Sequence, residues 1–390
     1  MAAIAELRER WNRLAQVGQE NDLDLILVYF DEYNMADACY LTNIWTQFER
    51  GLVAISVPSG DPCLLVGPET ANYVMTHMPE IESRVVSLFL AWGAAYPNTN
   101  WEDTSNVLTE LAGGPPHRIG LVGSGFLPLT LYQALSSMTD EIVDITDSVH
   151  LARQIKSASE IDKIRTAYRI VDAGLEAMLN GVTPGMTEAA LAGVGEAAMR
   201  AAGAEGYAYS TILSSQKRTN SVFGRPTQRP LDNGSFITIG ISPKYRGYCA
   251  SLGVPLTVGA VPQAQRNYIR DLFTVYQSIE AQLRPGLMAS ELYHSSRREL
   301  ARFNLEKYQI YGVVHSCGLL EAEAPFLCPD PDWEFQPGMV LLIDLAIFHP
   351  QLWGIRWESG YLITENGAEQ LSAYFDTACD IVLQRAASGA

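Results

Sequence analysis

From about residue 157 onward the sequence runs twice through the same order of elements, two helices and then strand-rich sequence. That repeated order limits the fold more than any other feature of the chain. The stretch 151–165 opens a long helix, in which Ser157-Ala-Ser-Glu160 has the spacing of a capping box. Pro184-Gly185 ends that helix, Thr187-Glu188 starts a second, and strand-rich sequence fills 207–258. A helical block follows over roughly 262–304, broken at Pro285-Gly286, and strands are expected over 340–346 and 359–364. The duplication lies in pattern rather than in residues, and it predicts an α+β domain with pseudo-twofold character.

Ahead of it, apolar residues at Ile4, Leu7, Trp11 and Leu14 give helical spacing over 4–19, and the run 23–30 predicts a buried strand. Further strands are expected at 52–57, 63–66 and 119–122, with helical patterns between them, which suggests an α/β domain. The boundary falls near 153, giving domains 1–153 and 154–390.

Lys and Arg number 27 against 44 Asp and Glu, a formal charge of -17, which argues against nucleic acid or an anionic membrane as partner. No run of about 18 apolar residues is available to span a bilayer. The N-terminus mixes both charge signs with apolar residues, unlike a signal peptide. The six cysteines are scattered without a C-x-x-C pair, so a reduced cytoplasm is the expected compartment.

Chemistry concentrates in a few segments of the second domain. They are Asn233–Gly253, His315-Ser-Cys-Gly-Leu-Leu-Glu-Ala-Glu-Ala-Pro325, Pro337-Gly-Met-Val-Leu-Leu-Ile-Asp344 and Gly354-Ile-Arg-Trp-Glu358. Together with 155–161, 184–188 and Arg284-Pro-Gly286, they resemble, in order, the creatinase, aminopeptidase P and prolidase family, whose fold is called pita-bread. The resemblance covers about 155–368 and implies a C-terminal pita-bread catalytic domain preceded by a creatinase-like α/β domain. It places His315, Asp344 and Glu358 at three of the family's metal-ligand positions.

The other two positions, where the family carries Asp, fall on Gly240 and Ser251, which cannot replace carboxylates toward a hard divalent ion. Ala322 stands where a second His is common and Phe223 where many members have His. A dinuclear peptidase is therefore not expected. Neighbouring carboxylates without a metal need a proton or a cation between them. The expected function is a metal-independent, creatinase-like hydrolase of a C–N bond, with no cofactor and a small cationic or zwitterionic substrate supplying that cation. His315 would move protons while Asp344 and Glu358 bind the cation. Creatine itself is disfavoured, because creatinase relies on His at 223 and Glu at 253.

One alternative is a mononuclear metal hydrolase or lyase using His315, Asp344 and Glu358 around one divalent ion. Another is a binding protein without catalysis. The resemblance also implies a homodimer in which Trp45, Phe48 and Arg50 reach the substrate, with Arg50 suited to a carboxylate. Ser251, Phe223, Glu323, Arg356 and Trp357 complete the expected substrate contacts, although Arg356 is equally an ion-pair partner for Glu358. Tyr207, Tyr209 and Trp353 are candidate aromatic walls. Cys249 and Cys317 flank the site and are expected to be small buried filler.

Overall fold

A computed structural model describes residues 4–45, 49–87 and 95–388. The chain divides into two compact units, Met1–Arg153 and Gln154–Ala390.

The first unit is built on a six-stranded sheet. Its strands are β1 (Leu25–Phe30), β2 (Gly51–Ser56), β3 (Pro62–Val66), β4 (Glu82–Val85), β5 (Arg118–Val122) and β6 (Glu141–Asp144), in the order β4-β3-β2-β1-β5-β6. The inner strands β1 to β3 are buried along their whole length. Their near-continuous apolar runs are what a strand covered on both faces requires. Sequence reasoning missed β4 and β6, which are short edge strands carrying Glu82, Arg84, Glu141 and Asp144 and little apolar periodicity.

In the second unit, helices Ala158–Gly181 and Glu188–Ala201 precede one group of strands, and helices Gln263–Glu280 and Ala289–Arg302 precede the other. The long helix starts later than expected. A shorter helix ends at Gln154, and Ser157 caps a new one through the reciprocal box with Glu160. The first strand group comprises β7 (Gly206–Tyr207), β8 (Ile212–Ser215), β9 (Ser235–Ile241), β10 (Pro243–Tyr245), β11 (Tyr248–Cys249) and β12 (Leu252–Val258). The second comprises β13 (Val314–Ser316), β14 (Glu323–Phe326), β15 (Val340–His349), β16 (Trp353–Thr364) and β17 (Gly367–Gln370).

The two groups merge into one sheet in the order β14-β13-β15-β16-β12-β9-β8, with β17 against β16, while β11-β10-β7 forms a small separate sheet. The long antiparallel pair β15/β16 sets Asp344 directly opposite Glu358 and Ala346 opposite Arg356. The same row continues through Gly253 opposite Glu358, Gly240 opposite Gly253 and Ile212 opposite Gly240. Residues directly opposite one another point to the same face, so the register brings these five positions together.

Candidate active site

Two carboxylates on one row would repel each other if nothing lay between them. Arg356 supplies the missing charge, because it lies two residues before Glu358 on β16 and so projects to the same face. Its Nε lies 3.4 Å from Asp344 Oδ1 and its Nη1 3.2 Å from Glu358 Oε2. Its Nη2 donates to the Tyr311 hydroxyl at 3.0 Å. All three charged side chains are enclosed, with 6%, 7% and 0% of the Arg356, Asp344 and Glu358 side chains exposed.

The guanidinium reaches this position over bare backbone. A Cβ at Gly253 would fall 2.7 Å from Arg356 Cδ and 2.9 Å from its Cγ, and a Cβ at Gly240 would start 3.3 Å from Nη1. Two of the residues that first looked like losses are thus the floor on which the arginine lies.

Ser251 is fully buried, and its hydroxyl lies 2.9 Å from that of Tyr209. The Ser251 hydroxyl moderates the upward push of burial on the Glu321 and Glu358 carboxyls. Glu321 joins the site without having been singled out in the sequence, although it sits inside the quoted His315–Pro325 stretch, two residues before the expected Glu323. Burial, reinforced by the Asp344 carboxylate and opposed by Arg356, pushes Glu321 up to about 7 and Glu358 up to about 8. Buried carboxyls that act on each other resist ionising together, so both are held above the ordinary carboxylate range.

His315 meets this pair from β13. Its Nδ1 lies 3.0 Å from the Ser316 carbonyl, which can only accept, so Nδ1 carries a proton and Nε2 is the free position in the neutral ring. Nε2 faces Glu321 Oε1 at 3.9 Å. Glu321 is therefore the carboxyl next to His315, at a separation longer than a direct hydrogen bond. In register it pairs with Leu342, two residues before Asp344.

The expectation that His315, Asp344 and Glu358 converge on a common ion does not match this geometry. Among the described residues no three His, Cys, Asp or Glu are grouped as a metal ion needs. Arg356 pairs with both Asp344 and Glu358, and Gly240 and Ser251 bring no carboxylate that could share a hard divalent ion with them. The residues present do not fit a metal centre. The Arg356 guanidinium supplies one positive charge to the acids expected to bind a cationic substrate.

Several expected substrate contacts are placed elsewhere. Trp357 points to the opposite face from Arg356 and Glu358 and is fully buried against Phe273, ring centroids 4.8 Å apart. The residue alternates out of the site because the strand period is two. Glu323 forms an enclosed ion pair with Lys156 at 3.0 Å, so it braces β14 and has no free carboxylate for substrate. Phe223 is 70% exposed in the loop before Gly224. Tyr207 donates to the Glu196 carbonyl, and Trp353 packs edge-on against Phe236. In the first unit Arg50 is exposed and Trp45 is half-buried, and Phe48 lies outside the described residues. Cys249 and Cys317 are fully buried, and burial raises both thiols, Cys249 to about 11, which leaves them inert as nucleophiles.

Comparison with known proteins places this geometry. A model of metallopeptidase family M24 matches residues 162–365. The chain belongs to the M24 family. The Xaa-Pro dipeptidase of Pyrococcus furiosus is 29% identical to this M24 chain over 236 residues, 60% of this chain and 68% of that protein. An uncharacterised peptidase of Bacillus subtilis, YqhT, is 28% identical over 227 residues, 58% of this chain and 64% of that relative's length. The probable dipeptidase PepE of Mycobacterium tuberculosis is 25% identical over 337 residues, 85% of this chain and 86% of its own.

Among solved structures, the prolidase of Pyrococcus horikoshii superposes with a TM-score of 0.79 at 22% identity, covering 93% of this chain and 98% of that one. Proline aminopeptidase P II of Yersinia pestis gives 0.76 at 17% identity, covering 98% and 100%. The M24 chain is thus a mixed α+β protein with an N-terminal domain followed by a pita-bread domain, in a family of hydrolases.

Proposed function

We propose that this M24 protein hydrolyses a C–N bond of amide type in a small polar compound by general acid–base catalysis, without a metal-bridged water. The observation that carries the reading is His315 Nε2 facing the Glu321 carboxyl at 3.9 Å, beside an Asp344 paired with Arg356. Glu321 has the most access of these groups, its side chain 18% exposed, while Glu358 is enclosed. Glu321 and His315 are the groups that meet substrate and water. One accepts the proton of an attacking water and the other returns a proton to the departing nitrogen, while Glu358 and Ser251 keep a proton within reach.

Peptide bonds fall within this reading, since relatives in the family are named dipeptidases. Those names, and the family's description as metallopeptidases, favour a second reading in which the protein is a metal-dependent dipeptidase. Against it stand Gly240 and Ser251, which bring no carboxylate to the site. We further propose a homodimer in which Arg50 with Trp45 and Phe48 supplies a carboxylate-binding corner. No helix among the described residues is long and apolar enough to cross a membrane, and the six cysteines are free, which supports the cytoplasm as compartment.

The test is a screen of dipeptides, cyclic amides, guanidino compounds and N-acyl amino acids with and without chelator. Activity should survive the chelator, and Glu321→Gln and His315→Gln should each lower kcat by about 10²–10⁴. Activity abolished by chelator and restored by a divalent ion would transfer the protein to the second reading.

A further inference from the structure

We propose that the groove between helix Gln263–Glu280 and the last helix, Phe375–Ser388, binds a phosphate monoester through Arg266 and Arg270. The groove shares no residue with the acid–base site, and its test does not depend on that reading.

The groove holds a cavity of about 410 Å³, lined by Gln263, Arg266 and Arg270 on one side and by Leu383, Ala386 and Ala387 on the other. That volume lies in the range of small-ligand sites. Both walls follow from helical spacing. Gln263, Arg266, Asn267 and Arg270 recur at three and four residues and form one polar stripe, while Tyr268, Ile269 and Leu272 on the same helix are buried. Leu383, Ala386 and Ala387 repeat that spacing on the facing helix, and two of the three are too short to fill the gap.

In a chain with 44 acidic and 27 basic residues, arginines such as Arg84, Arg165 and Arg218 pair with carboxylates. Arg266 and Arg270 are held differently. Arg266 Nη2 donates to Gln263 Oε1 at 2.5 Å and Arg270 Nη2 to Asn267 Oδ1 at 2.8 Å, and Gln263 Nε2 donates to the same Asn267 oxygen at 2.8 Å. Among the described residues neither guanidinium has a carboxylate partner. The amide oxygens orient the two groups and cancel neither charge.

Two costs follow, and an anion in the groove relieves both. Arg266 Nε is enclosed without a hydrogen-bond acceptor, which is costly for a charged group. Like charges four residues apart on a helix also repel. A phosphate monoester is a dianion above pH ~6, which matches two guanidiniums, and its three oxygens suit their forked donors. The carbon part of the ester lies against Leu383 and Ala387.

The test is calorimetric titration of purified full-length protein with phenyl phosphate, inorganic phosphate and benzoate in phosphate-free buffer. One phenyl phosphate should bind per chain, at least ~10-fold tighter than benzoate or inorganic phosphate. Arg266→Gln and Arg270→Gln should each weaken it at least ~10-fold, while Arg297→Gln/Arg298→Gln, which removes an exposed arginine pair on helix Ala289–Arg302, should leave it unchanged. Phenyl phosphate should also raise the melting temperature of the wild type and leave that of Arg266→Gln/Arg270→Gln where it is, a readout that survives a loss of stability in either variant. No saturable binding up to ~10 mM, or an equal loss in the Arg297→Gln/Arg298→Gln control, would overturn the proposal, as would benzoate or inorganic phosphate binding as tightly as phenyl phosphate.

Discussion

Replacing Arg356 by Met tests the electrostatic argument most directly, since the side chain keeps much of its volume and loses its charge. In the wild-type protein the guanidinium lies 3.4 Å from Asp344 and 3.2 Å from Glu358, with almost none of the three side chains in water. Removing one partner of such a buried group leaves an uncompensated charge, which typically costs about 3–5 kcal/mol. The two adjacent acids then face each other across the row with nothing between them. For a domain of this size, ~2–4 °C of melting temperature accompanies each kcal/mol, so Arg356→Met should melt ~6–20 °C below wild type.

The abandoned carboxylate can relieve part of that cost by taking up a proton, so the deficit should be larger in alkaline than in acidic buffer. Adding Asp344→Asn to Arg356→Met removes the stranded charge and should recover most of the loss, a coupling that a double-mutant cycle reads directly. The assay is thermal and urea unfolding of the four proteins at two pH values. If Arg356→Met melts within a degree of wild type at both pH values, or if the two substitutions simply add, the claim that Arg356 neutralises this site is wrong.

Two other outcomes follow from the same geometry. Glu358 and Glu321 are raised above their ordinary value of 4.5, to about 8 and about 7, so the folded protein holds protons that the unfolded chain releases. Their contribution to stability is therefore complete below the unfolded value and is lost as pH rises toward the folded one. Urea unfolding should show stability declining across that window, with a shallower decline in Glu358→Gln; an unchanged slope would contradict the buried acid pair. Trp357→Ala should cost about 3–5 kcal/mol, since it empties a fully buried site against Phe273, and should leave KM unaltered. A raised KM at unchanged stability would return Trp357 to the substrate.

The sequence by itself determined much of this protein. Repeated helix-helix-strand order, the cap at Ser157 and Glu160 and the continuous apolar runs of β1 and β15 are local signals, because periodicity and capping depend on neighbours along the chain. They made the two units and the α+β class legible, and the family resemblance marked Asp344, Glu358 and Ser251 as worth attention. The short polar edge strands β4 and β6 carried no such signal.

Only the tertiary structure decided what the site contains. The alternation that sends Trp357 away from Glu358 is readable once β16 is known to be a strand, but which face holds the chemistry depends on its pairing with β15 and β12. Glu323 met Lys156, and Glu321, two residues earlier, met His315 and Glu358; nothing in sequence spacing ranks one above the other. Above all, the sequence presented Gly240 and Gly253 as absences. Across the sheet they lie under the stem and head of Arg356, because cross-strand register brings residues more than a hundred positions apart within van der Waals reach. A missing side chain has meaning only in relation to what fills its space, and that relation exists only in the folded sheet.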